Sequence, residues 1–429
     1  MIVSFTTLGC KTNQFETGAL QALLVDRGHQ IAAPGEIADA VVVNTCAVTA
    51  ESSRKSRQAV RRGRAEHPGA IIAVCGCLSQ LSPAEIEALE ADLIYGTADR
   101  EAFVTDLEQA VAGASSRTVI DEANTRNTFE ILPPGGMDGR VRALLKVQDG
   151  CDNYCTYCII PYARGPVRSI PLETAVEQAK ELAQAGYREL VITGIEISSY
   201  GKDHPDGPDV VDLIAAVCQA APGLRIRLGS LEPRTVTTAF CERLAEFPNL
   251  CPHFHLSLQS GSDETLTQMG RKYTTVQYTE ALTHLRKTFP NCAVTTDLIV
   301  GFPGESEADF LESITFLRTA AFAAVHVFPY SAREGTAAAK MPNQIPKPER
   351  RRRAKAAGEV VRGLEQTWHT AQVGQVMDVL FESEAAGQCR GHTPNYCTVL
   401  VRSTGLENQI RPVRIIDVSE EGLIGELML

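Results

Sequence analysis

The feature that most constrains the fold is a strand–helix unit that is repeated six times in the middle of the chain. The strand-like segments are VRALLKVQ, ELVITG, RIRLGS, HFHLSLQS, AVTTDLIVGF and AVHVFPYS. Amphipathic helices lie between them, for example at 172–184 and 307–318. Regular alternation of strands and helices predicts a parallel sheet covered by helices. Six units favour a partial (β/α)6 barrel over a doubly wound sheet, although periodicity alone fits both.

The first block, residues 1–115, also alternates strands and helices. Its strand-like segments are IVSFTTLG, AVVVNTC, AIIAVCGC and DLIYG. Continuous apolar runs such as AVVVNTC are typical of parallel strands that are buried on both faces. Thr12 or Asn13 is predicted to cap a helix that continues through Asp26 and ends at Gly28. This block is therefore predicted to be a separate parallel α/β domain.

The pattern changes again on either side of the barrel block. Residues 116–138, which include NTRNTFEILPPGGMDG, lack periodicity and are predicted to be a linker. The barrel block, 139–369, ends with a long basic helix that starts near MPNQIPKPERRRRAK and reaches Thr370. Residues 370–429 contain the short alternating segments VMDVLFES, YCTVLVRS, IRPVRIIDV and GLIGELML, which predict a small all-β barrel.

The chain has 13 cysteines, and this number bears on the kind of chemistry that it performs. The sequence shows neither an export signal nor a run of about 18 apolar residues, so we expect a cytoplasmic protein with no membrane partner. In that compartment a disulfide framework is disfavoured, and metal or redox chemistry is the better expectation. The net charge of −11 argues against a general nucleic-acid coat but does not exclude a local basic groove.

Three cysteines stand in CDNYCTYC, directly after the first barrel strand. Structural zinc sites and ordinary electron-transfer clusters use four protein ligands. Cys151, Cys155 and Cys158 supply only three, so a metal cluster bound there keeps one position open for another ligand. The alternatives are a zinc knuckle without its fourth ligand and three incidental thiols. The coincidence of spacing and loop position favours the cluster.

A second set of three cysteines follows the first three predicted strands. Cys10, Cys46 and Cys77 each come directly after one of these strands. The carboxyl ends of parallel strands share one edge of a sheet, so these residues are predicted to converge there. Cys75 is a competitor of Cys77, since residues two apart on a strand point to the same face. Cys77 is the favoured ligand, and Cys75 is expected to pack against the sheet.

The Cys-x3-Cys-x2-Cys spacing resembles that of the radical S-adenosylmethionine (SAM) enzymes. TLGCKTNQFET, VVVNTCAVT and VCGCLSQ resemble the N-terminal domain of methylthiotransferases, and GHTPNYCTVLV resembles a TRAM module, a small β-barrel that helps to bind RNA. The resemblance spans essentially the whole chain in the order of that family. It implies SAM and two [4Fe–4S] clusters, an auxiliary one and a SAM-binding one. The ligands would be Cys10, Cys46 and Cys77 for the auxiliary cluster and Cys151, Cys155 and Cys158 for the SAM-binding one.

Because the cofactor performs radical chemistry, the resemblance implies no acid or base side chain in a catalytic role. Candidate SAM contacts come from the residue before the last cysteine and from polar groups at later strand ends. They are Tyr157, Gly194, Glu196, Ser230, Glu232, Gln259 and Asp297, with Ser198 and Ser260 beside them. Each alone could be an ordinary loop residue. In register with six strands they favour one ligand held across the barrel mouth.

The substrate is suggested by short segments. LGCKTNQFET, with Lys11 and Glu16, and RLGSLEP resemble the branch that inserts a methylthio group at C2 of N6-threonylcarbamoyladenosine next to the tRNA anticodon. The branches acting on isopentenyladenosine in tRNA or on a ribosomal-protein aspartate are alternatives. A non-catalytic iron–sulfur or zinc protein that binds RNA is a third. The expected partners are tRNA, an electron donor and a sulfur source, the last two unidentified.

The charge pattern gives a mixed indication for RNA binding. Basic runs at 54–64 and in KPERRRRAK could clamp phosphates or could form solvated helix faces. Residues 370–429 contain eight Asp and Glu against four Lys and Arg, which is unexpected for an RNA-binding module. Its arginines are Arg390, Arg402, Arg411 and Arg414. The remaining cysteines, Cys218, Cys241, Cys251, Cys292, Cys389 and Cys397, are interpreted as small buried apolar residues.

Overall fold

The structure, a computed structural model, describes residues 1–134 and 141–428. The last part of the predicted linker (135–138) and the predicted start of the barrel block at 139 lie outside these residues. The helices are α1 Lys11–Asp26, α2 Ala50–Glu66, α3 Cys77–Leu81, α4 Pro83–Glu87, α5 Arg100–Val111, α6 Ile160–Arg164, α7 Leu172–Gln184, α8 Val210–Ala220, α9 Thr238–Leu244, α10 Asp263–Gln268, α11 Thr275–Thr288, α12 Glu307–Ala320, α13 Ala337–Lys340 and α14 Lys347–Thr370. The strands are β1 Ile2–Thr7, β2 Gln30–Ile31, β3 Ala40–Thr45, β4 Ile71–Gly76, β5 Leu93–Tyr95, β6 Arg117–Val119, β7 Arg142–Lys146, β8 Gln148–Asp149, β9 Arg168–Ser169, β10 Glu189–Thr193, β11 Arg225–Leu228, β12 Ser230–Leu231, β13 His253–Leu256, β14 Ala293–Val300, β15 Ala324–Pro329, β16 Val376–Ala385, β17 Gln388–His392, β18 Thr398–Arg402, β19 Ile410–Ser419 and β20 Gly422–Leu427.

The N-terminal part is a parallel sheet in the order β2-β1-β3-β4-β5-β6, as the alternating pattern predicted. Helices α1 and α5 pack on one face, and α2, α3 and α6 pack on the other. Strand β3 is buried along its whole length, which explains its continuous apolar run. Strand β6 lies inside the segment that the sequence suggested as a linker, where it extends this sheet.

The start of α1 differs from the predicted one. The helix begins at Lys11 with Cys10 at the N-cap position, so the prediction of a Thr12 or Asn13 cap was wrong. The Asn13 amide donates instead to the carbonyl oxygens of Leu8 and Thr45, at 2.9 Å each. Its side chain therefore ties the end of β1 to the end of β3. At the other end, α1 stops at Asp26 as predicted.

The barrel block forms two consecutive parallel sheets, β11-β10-β7 and β12-β13-β14-β15. The segment RIRLGS was predicted as one strand but is divided at Gly229 into β11 and β12. The Gly229 amide donates to the Ile192 carbonyl oxygen at 2.8 Å, and a Cβ at Gly229 would lie 3.0 Å from that oxygen. This close approach moves the chain from one sheet to the next. Helix α7 has the predicted bounds, and α12 extends the predicted helix to Ala320.

The C-terminal part is a closed barrel, β16-β17-β18-β20-β19, which confirms the predicted small β-barrel. The sequence prediction missed β17, because CRGH between Gly387 and the TPN turn shows no apolar alternation. The long helix α14 leads into this barrel. Its Trp368 packs on the barrel core and donates through Nε1 to Cys397 Sγ at 3.2 Å. Across residues 1–134 and 141–428, no helix combines the length and the apolar character needed to cross a membrane.

Candidate functional site

The loop that carries Cys151, Cys155 and Cys158 lies directly after β8. The Cys151 amide donates to the Gly165 carbonyl oxygen at 3.0 Å, and the Cys158 amide donates to that of Cys155 at 2.9 Å. Both the amide and the hydroxyl of Thr156 donate to carbonyl oxygens of residues 268–269 at 2.9 Å. The loop is therefore fixed at its start, middle and end.

Cys155 is buried, whereas Cys151 and Cys158 are partly exposed. Burial raises the pKa of Cys151 to about 11 and that of Cys158 to about 12, and neighbouring thiols add to both shifts. Arg271 donates through Nη1 to Cys155 Sγ at 3.3 Å. Such thiols become thiolates when a metal supplies positive charge. Sequence reasoning missed Arg271, which follows α10 and has no motif of its own.

Glu196 lies at the end of β10, within electrostatic range of Cys151. Its Oε2 accepts hydrogen bonds from Asn153 Nδ2 at 2.9 Å and from the Ser199 hydroxyl at 2.6 Å. Its Oε1 is buried and has no hydrogen-bond partner among the described residues. Burial raises the pKa of Glu196, although Ser199 and Lys202 oppose the shift. A buried acceptor without a partner beside the cysteine loop fits a ligand that carries an amine.

Three other predicted contacts lie around this carboxylate. Gly194 has no room for a side chain, because a Cβ there would lie 2.9 Å from the Gln148 carbonyl oxygen. The Ser198 hydroxyl accepts from the Glu232 amide at 2.9 Å, while the Glu232 carboxylate is paired with Arg234 at 2.6 Å. The loop after β10 is thus held against β12.

The remaining predicted contacts are more varied. Tyr157 packs beside an apolar cluster that contains Met269, Phe302 and Tyr330, within electrostatic range of Cys155 and Cys158. The side chain of Ser230 is exposed. Gln259 has a φ of +69° and pairs through its backbone with β14, and Ser260 hydrogen-bonds Ser313. Asp297 lies within β14 rather than at its end, with Oδ2 at 3.3 Å from His255 Nε2.

Cys10, Cys46 and Cys77 converge at the carboxyl edge of the N-terminal sheet, in the segments that follow the adjacent strands β1, β3 and β4. Gly9 packs on Cys46 so closely that an added Cβ would lie 2.9 Å from Cys46 Cβ. Burial raises the pKa of Cys77 to about 12, and the Cys46 and Cys10 thiols contribute to the shift. Ser56 fixes Cys46 by hydrogen bonds to both its amide and its carbonyl group, at 3.1 and 3.2 Å.

Cys75 and Cys77 lie on opposite faces of the sheet, so the expectation of a shared face was wrong. Gly76, between them, has a φ of +103° and turns the chain into α3. Cys75 is fully buried, as expected, in the apolar cluster with α1 and α5. The six isolated cysteines are also buried, as predicted.

Each of the two sets offers three sulfur donors and no fourth. Within the described ranges, no three His, Cys, Asp or Glu side chains are grouped to hold a single metal ion. A cubane cluster has a different requirement, because each cysteine binds a different iron atom and the sulfurs stand further apart. The donor chemistry fits such a cluster in both places.

A buried charge network, which sequence reasoning missed, joins the N-terminal sheet domain to the barrel block. The Glu16 carboxylate accepts from Arg100 at 3.0 Å, from Lys146 at 2.9 Å and from Arg164. Arg164 also donates to Asn13 Oδ1 at 2.9 Å, and Asn13 lies 3.7 Å from Cys10 Sγ. Glu16 and Arg100 come from the N-terminal sheet domain, whereas Lys146 and Arg164 come from the barrel block. In the sequence, this network is indicated by a lysine, Lys146, within the apolar strand segment LLKVQ.

The two basic runs are largely occupied by ion pairs. On α2 the pairs are Arg54–Glu51, Arg57–Glu85, Arg62–Glu66 and Arg64–Asp92. On α14 they include Arg352–Glu307 and Arg353–Glu305. These pairs favour the interpretation of both runs as structural helix faces. The four arginines of the C-terminal barrel are all exposed, on β17, β18 and β19.

Two family models match the chain. The model described as Radical SAM superfamily matches residues 145–317, and the one described as Uncharacterized protein family UPF0004 matches residues 2–96. They correspond to the block with Cys151 and to the domain with Cys10. The first match makes SAM and a [4Fe–4S] cluster the cofactors of this chain.

Relatives with similar sequences span nearly its whole length. The threonylcarbamoyladenosine tRNA methylthiotransferase MtaB of Bacillus subtilis strain 168 is 37% identical over 409 residues, which cover 94% of this chain and 90% of the relative. The protein of the same name from Aquifex aeolicus is 36% identical, and the aligned residues cover 90% of this chain and 93% of the relative. The tRNA-2-methylthio-N(6)-dimethylallyladenosine synthase of Symbiobacterium thermophilum is 33% identical and covers 99% and 94%.

Solved structures support the fold. The radical SAM methyltransferase TsrM from Kitasatospora setae aligns with a TM-score of 0.57 at 15% identity, covering 79% of this chain and 75% of that one. The cobalamin-dependent radical SAM enzyme OxsB aligns with a TM-score of 0.54 at 13% identity, covering 84% and 56%. At these identities the similarity concerns the fold alone. From the sequence identities over its whole length, the chain belongs to the radical SAM methylthiotransferase family.

Proposed function

We propose that this protein inserts a methylthio group at C2 of N6-threonylcarbamoyladenosine next to the anticodon of tRNA. The observation that carries this proposal is the presence of two three-cysteine sets, in two parts of the chain that a buried charge network joins. A simple radical enzyme needs one such set, whereas a transferase that also handles sulfur has a use for the second. An electron donor and a sulfur source complete the reaction, both still unidentified.

We assign Cys151, Cys155 and Cys158 to the SAM-binding [4Fe–4S] cluster and Cys10, Cys46 and Cys77 to the auxiliary one. The clusters and SAM supply, when bound, the one-electron chemistry that functionalises an unactivated carbon. We further assign residues 1–115 to the auxiliary-cluster domain, 116–138 to a linker, 139–369 to the radical core and 370–429 to a TRAM-like module.

The side chains around the cysteine loop would bind and orient SAM. Glu196 Oε1 would accept a hydrogen bond from the amino group of SAM. Asn153 fixes the rotamer of the Glu196 carboxylate through Oε2. Gly194 lets the loop after β10 pack closely on Gln148 and would thereby position Glu196. Tyr157, with the apolar cluster around Met269, would exclude water from the cysteine loop. Ser230, Glu232, Gln259 and Asp297 would contribute at the outer part of the barrel mouth.

The choice of nucleoside is the finer part of the proposal. The relatives named for threonylcarbamoyladenosine reach 37% identity, and those named for dimethylallyladenosine reach 33%. The second group keeps the isopentenyladenosine reaction as the competing candidate. The segments LGCKTNQFET and RLGSLEP favour the threonylcarbamoyl reaction.

The test is a direct competition between substrates. The reconstituted protein, with SAM and dithionite, is offered equal amounts of two anticodon hairpins that carry either N6-threonylcarbamoyladenosine or N6-isopentenyladenosine. Nucleosides are then digested and identified by mass. We expect a mass increase of one methylthio group on the threonylcarbamoyl nucleoside and none on the other. The reverse product would overturn the proposed substrate, and unmodified RNA together with a modified ribosomal-protein peptide would favour the protein-modifying branch.

Gly150→Ala is expected to lower iron binding selectively at the Cys151 loop. Gly150 has a φ of +74°, and an added Cβ would overlap the Pro166 carbonyl oxygen, so the loop must shift. Iron per chain after anaerobic reconstitution should fall from about eight toward four. Gly223→Ala is the matched control, because a Cβ at Gly223 meets nothing within 4 Å. Full iron content in Gly150→Ala would contradict the need for this backbone geometry.

A further inference from the structure

The first residue of α1, Lys11, is a cation with no carboxylate partner. It follows Cys10 directly, and no ion pair or hydrogen bond joins its ammonium group to any residue of the described ranges. It lies within electrostatic range of Arg142 and Arg227 in the radical core and of Tyr396 in the C-terminal barrel. Residues from all three parts of the chain therefore lie near this side chain, which remains accessible to solvent.

The acidic groups near Lys11 are already neutralised. Glu189 pairs with Arg227 through two hydrogen bonds, at 2.6 and 2.8 Å. Glu382 pairs with Arg142 at 3.0 Å, and Arg142 also donates to the Tyr396 hydroxyl at 2.9 Å. Lys11 therefore adds a positive charge that no carboxylate balances, at a place that solvent and a ligand can reach. An unpaired ammonium group favours an anionic ligand, to which it can donate a charge-assisted hydrogen bond.

A second polar group without a partner lies nearby. His253 is 7% exposed, and its Nδ1 is buried without a hydrogen-bond partner among the described residues. Its ring stacks on Tyr396 with the centroids 4.8 Å apart, and Lys11 lies within electrostatic range of it. Buried polar atoms are nearly always hydrogen-bonded, so a ligand atom is the natural partner of this nitrogen.

We propose that Lys11 binds the carboxylate of the threonylcarbamoyl group and so selects this nucleoside. The proposed function supplies the substrate, and the inference rests on it. The threonylcarbamoyl group carries one carboxylate and one hydroxyl, which match one free ammonium group and one unpartnered ring nitrogen. An isopentenyl group has neither and would leave both protein groups without partners. A site that is built for polar contacts rejects such an analogue strongly.

The test compares two forms of the substrate with two forms of the protein. One anticodon hairpin carries threonylcarbamoyladenosine, and the other carries the same nucleoside with its carboxylate replaced by a primary carboxamide. For the wild type, the carboxamide should lower kcat/KM about 10- to 100-fold, the value of one charge-assisted hydrogen bond. Lys11→Gln should lower kcat/KM for the carboxylate by a similar factor, mainly through KM, and should change the value for the carboxamide less than about twofold.

Two variants and two further readouts serve as controls. Lys11→Arg keeps the charge and should keep the discrimination between the two hairpins. Lys180→Gln removes an exposed lysine on α7. It should lower kcat/KM for the carboxylate and carboxamide hairpins equally or not at all. Iron per chain and the dissociation constant of each hairpin, measured without SAM, separate damage to the cluster site from loss of recognition.

Each outcome decides between the hypotheses. A Lys11→Gln protein that still discriminates between the hairpins as the wild type does would overturn the role of Lys11. If Lys11→Gln does not fold, equal use of both hairpins by the wild type would overturn the inference without any variant. If the wild type instead prefers the carboxylate hairpin and Lys11→Arg keeps that preference, the inference is supported. If the wild type modifies only the isopentenyladenosine hairpin, the proposed function itself fails.

Discussion

Replacement of Cys151, Cys155 and Cys158 together by alanine is expected to halve the iron content and to abolish SAM cleavage. Anaerobic reconstitution of the wild type should give about eight irons per chain, and the variant should retain about four. The reason is that the two sets of cysteines belong to separate parts of the structure. The three thiols share one loop after β8, whereas Cys10, Cys46 and Cys77 lie at the ends of β1, β3 and β4. Iron per chain and 5′-deoxyadenosine formed with SAM and dithionite are the measurements.

The control is a variant with the same number of substituted cysteines outside both sets. Cys218→Ala, Cys241→Ala and Cys251→Ala change three buried residues of the barrel block, and this protein should keep its full iron content. About four irons in the wild type, all lost from the Cys151/Cys155/Cys158 variant, would show that the N-terminal set holds no cluster. The assignment of a sulfur-transferring second cluster would then be abandoned.

Glu16→Gln is expected to cause the largest loss of stability from a single substitution. Burial alone would raise the pKa of Glu16, but Arg164, Lys146 and Arg100 outweigh it and lower the pKa well below its usual value. The substitution removes the one carboxylate that all three cations share, although Asp149 still pairs with Lys146 at 2.7 Å and with Arg164 at 3.3 Å. Removal of one partner from a buried ion pair costs about 3–5 kcal/mol. Guanidinium unfolding of the iron-free protein, followed by circular dichroism, measures the loss.

The matched control is Glu51→Gln, which removes an exposed carboxylate that pairs with Arg54 on α2. Exposed pairs contribute little, so this variant should unfold at nearly the wild-type midpoint. The pKa of Glu16 is lower in the folded protein than in the unfolded chain. The stabilisation is therefore complete at neutral pH and is lost as the pH falls below about 4 toward the folded-state pKa. Equal midpoints for Glu16→Gln and wild type at pH 7 would contradict the importance of the network.

The sequence predicted the elements whose formation depends on local pattern. Helix α7 and the end of α1 follow apolar periodicity, and the cysteines follow buried strands whose ends had to meet at one edge. The break at Gly229 and the missed strand β17 depend on close backbone approach, which leaves no periodic pattern. The N-cap at Cys10 was missed because the Asn13 side chain does not cap the helix. It hydrogen-bonds the chain segments at the ends of β1 and β3 instead.

The candidate site was predictable to the extent that its ligands form motifs. The cysteines could be named in advance, and the structure brings each set together. Glu16 and Arg164, by contrast, are 148 positions apart, and their pairing follows from the packing of α1 against the barrel block. Lys11 was noticed as a motif residue only. Its lack of an acidic partner became visible with Arg142, Arg227 and Tyr396 around it.

Tyr396 belongs to the C-terminal barrel, but its ring lies against strands of the radical core. Arg227 stands 4.5 Å above it, and His253 and His392 stack beside it. Removal of residues 370–429 would thus expose these side chains of the core as well as remove the proposed TRAM-like module, so a truncated protein would lose activity for two separable reasons. An exchange of this barrel between two members of the family would transplant part of the proposed nucleoside pocket, and we expect such a chimaera to change its substrate preference with its core sequence untouched.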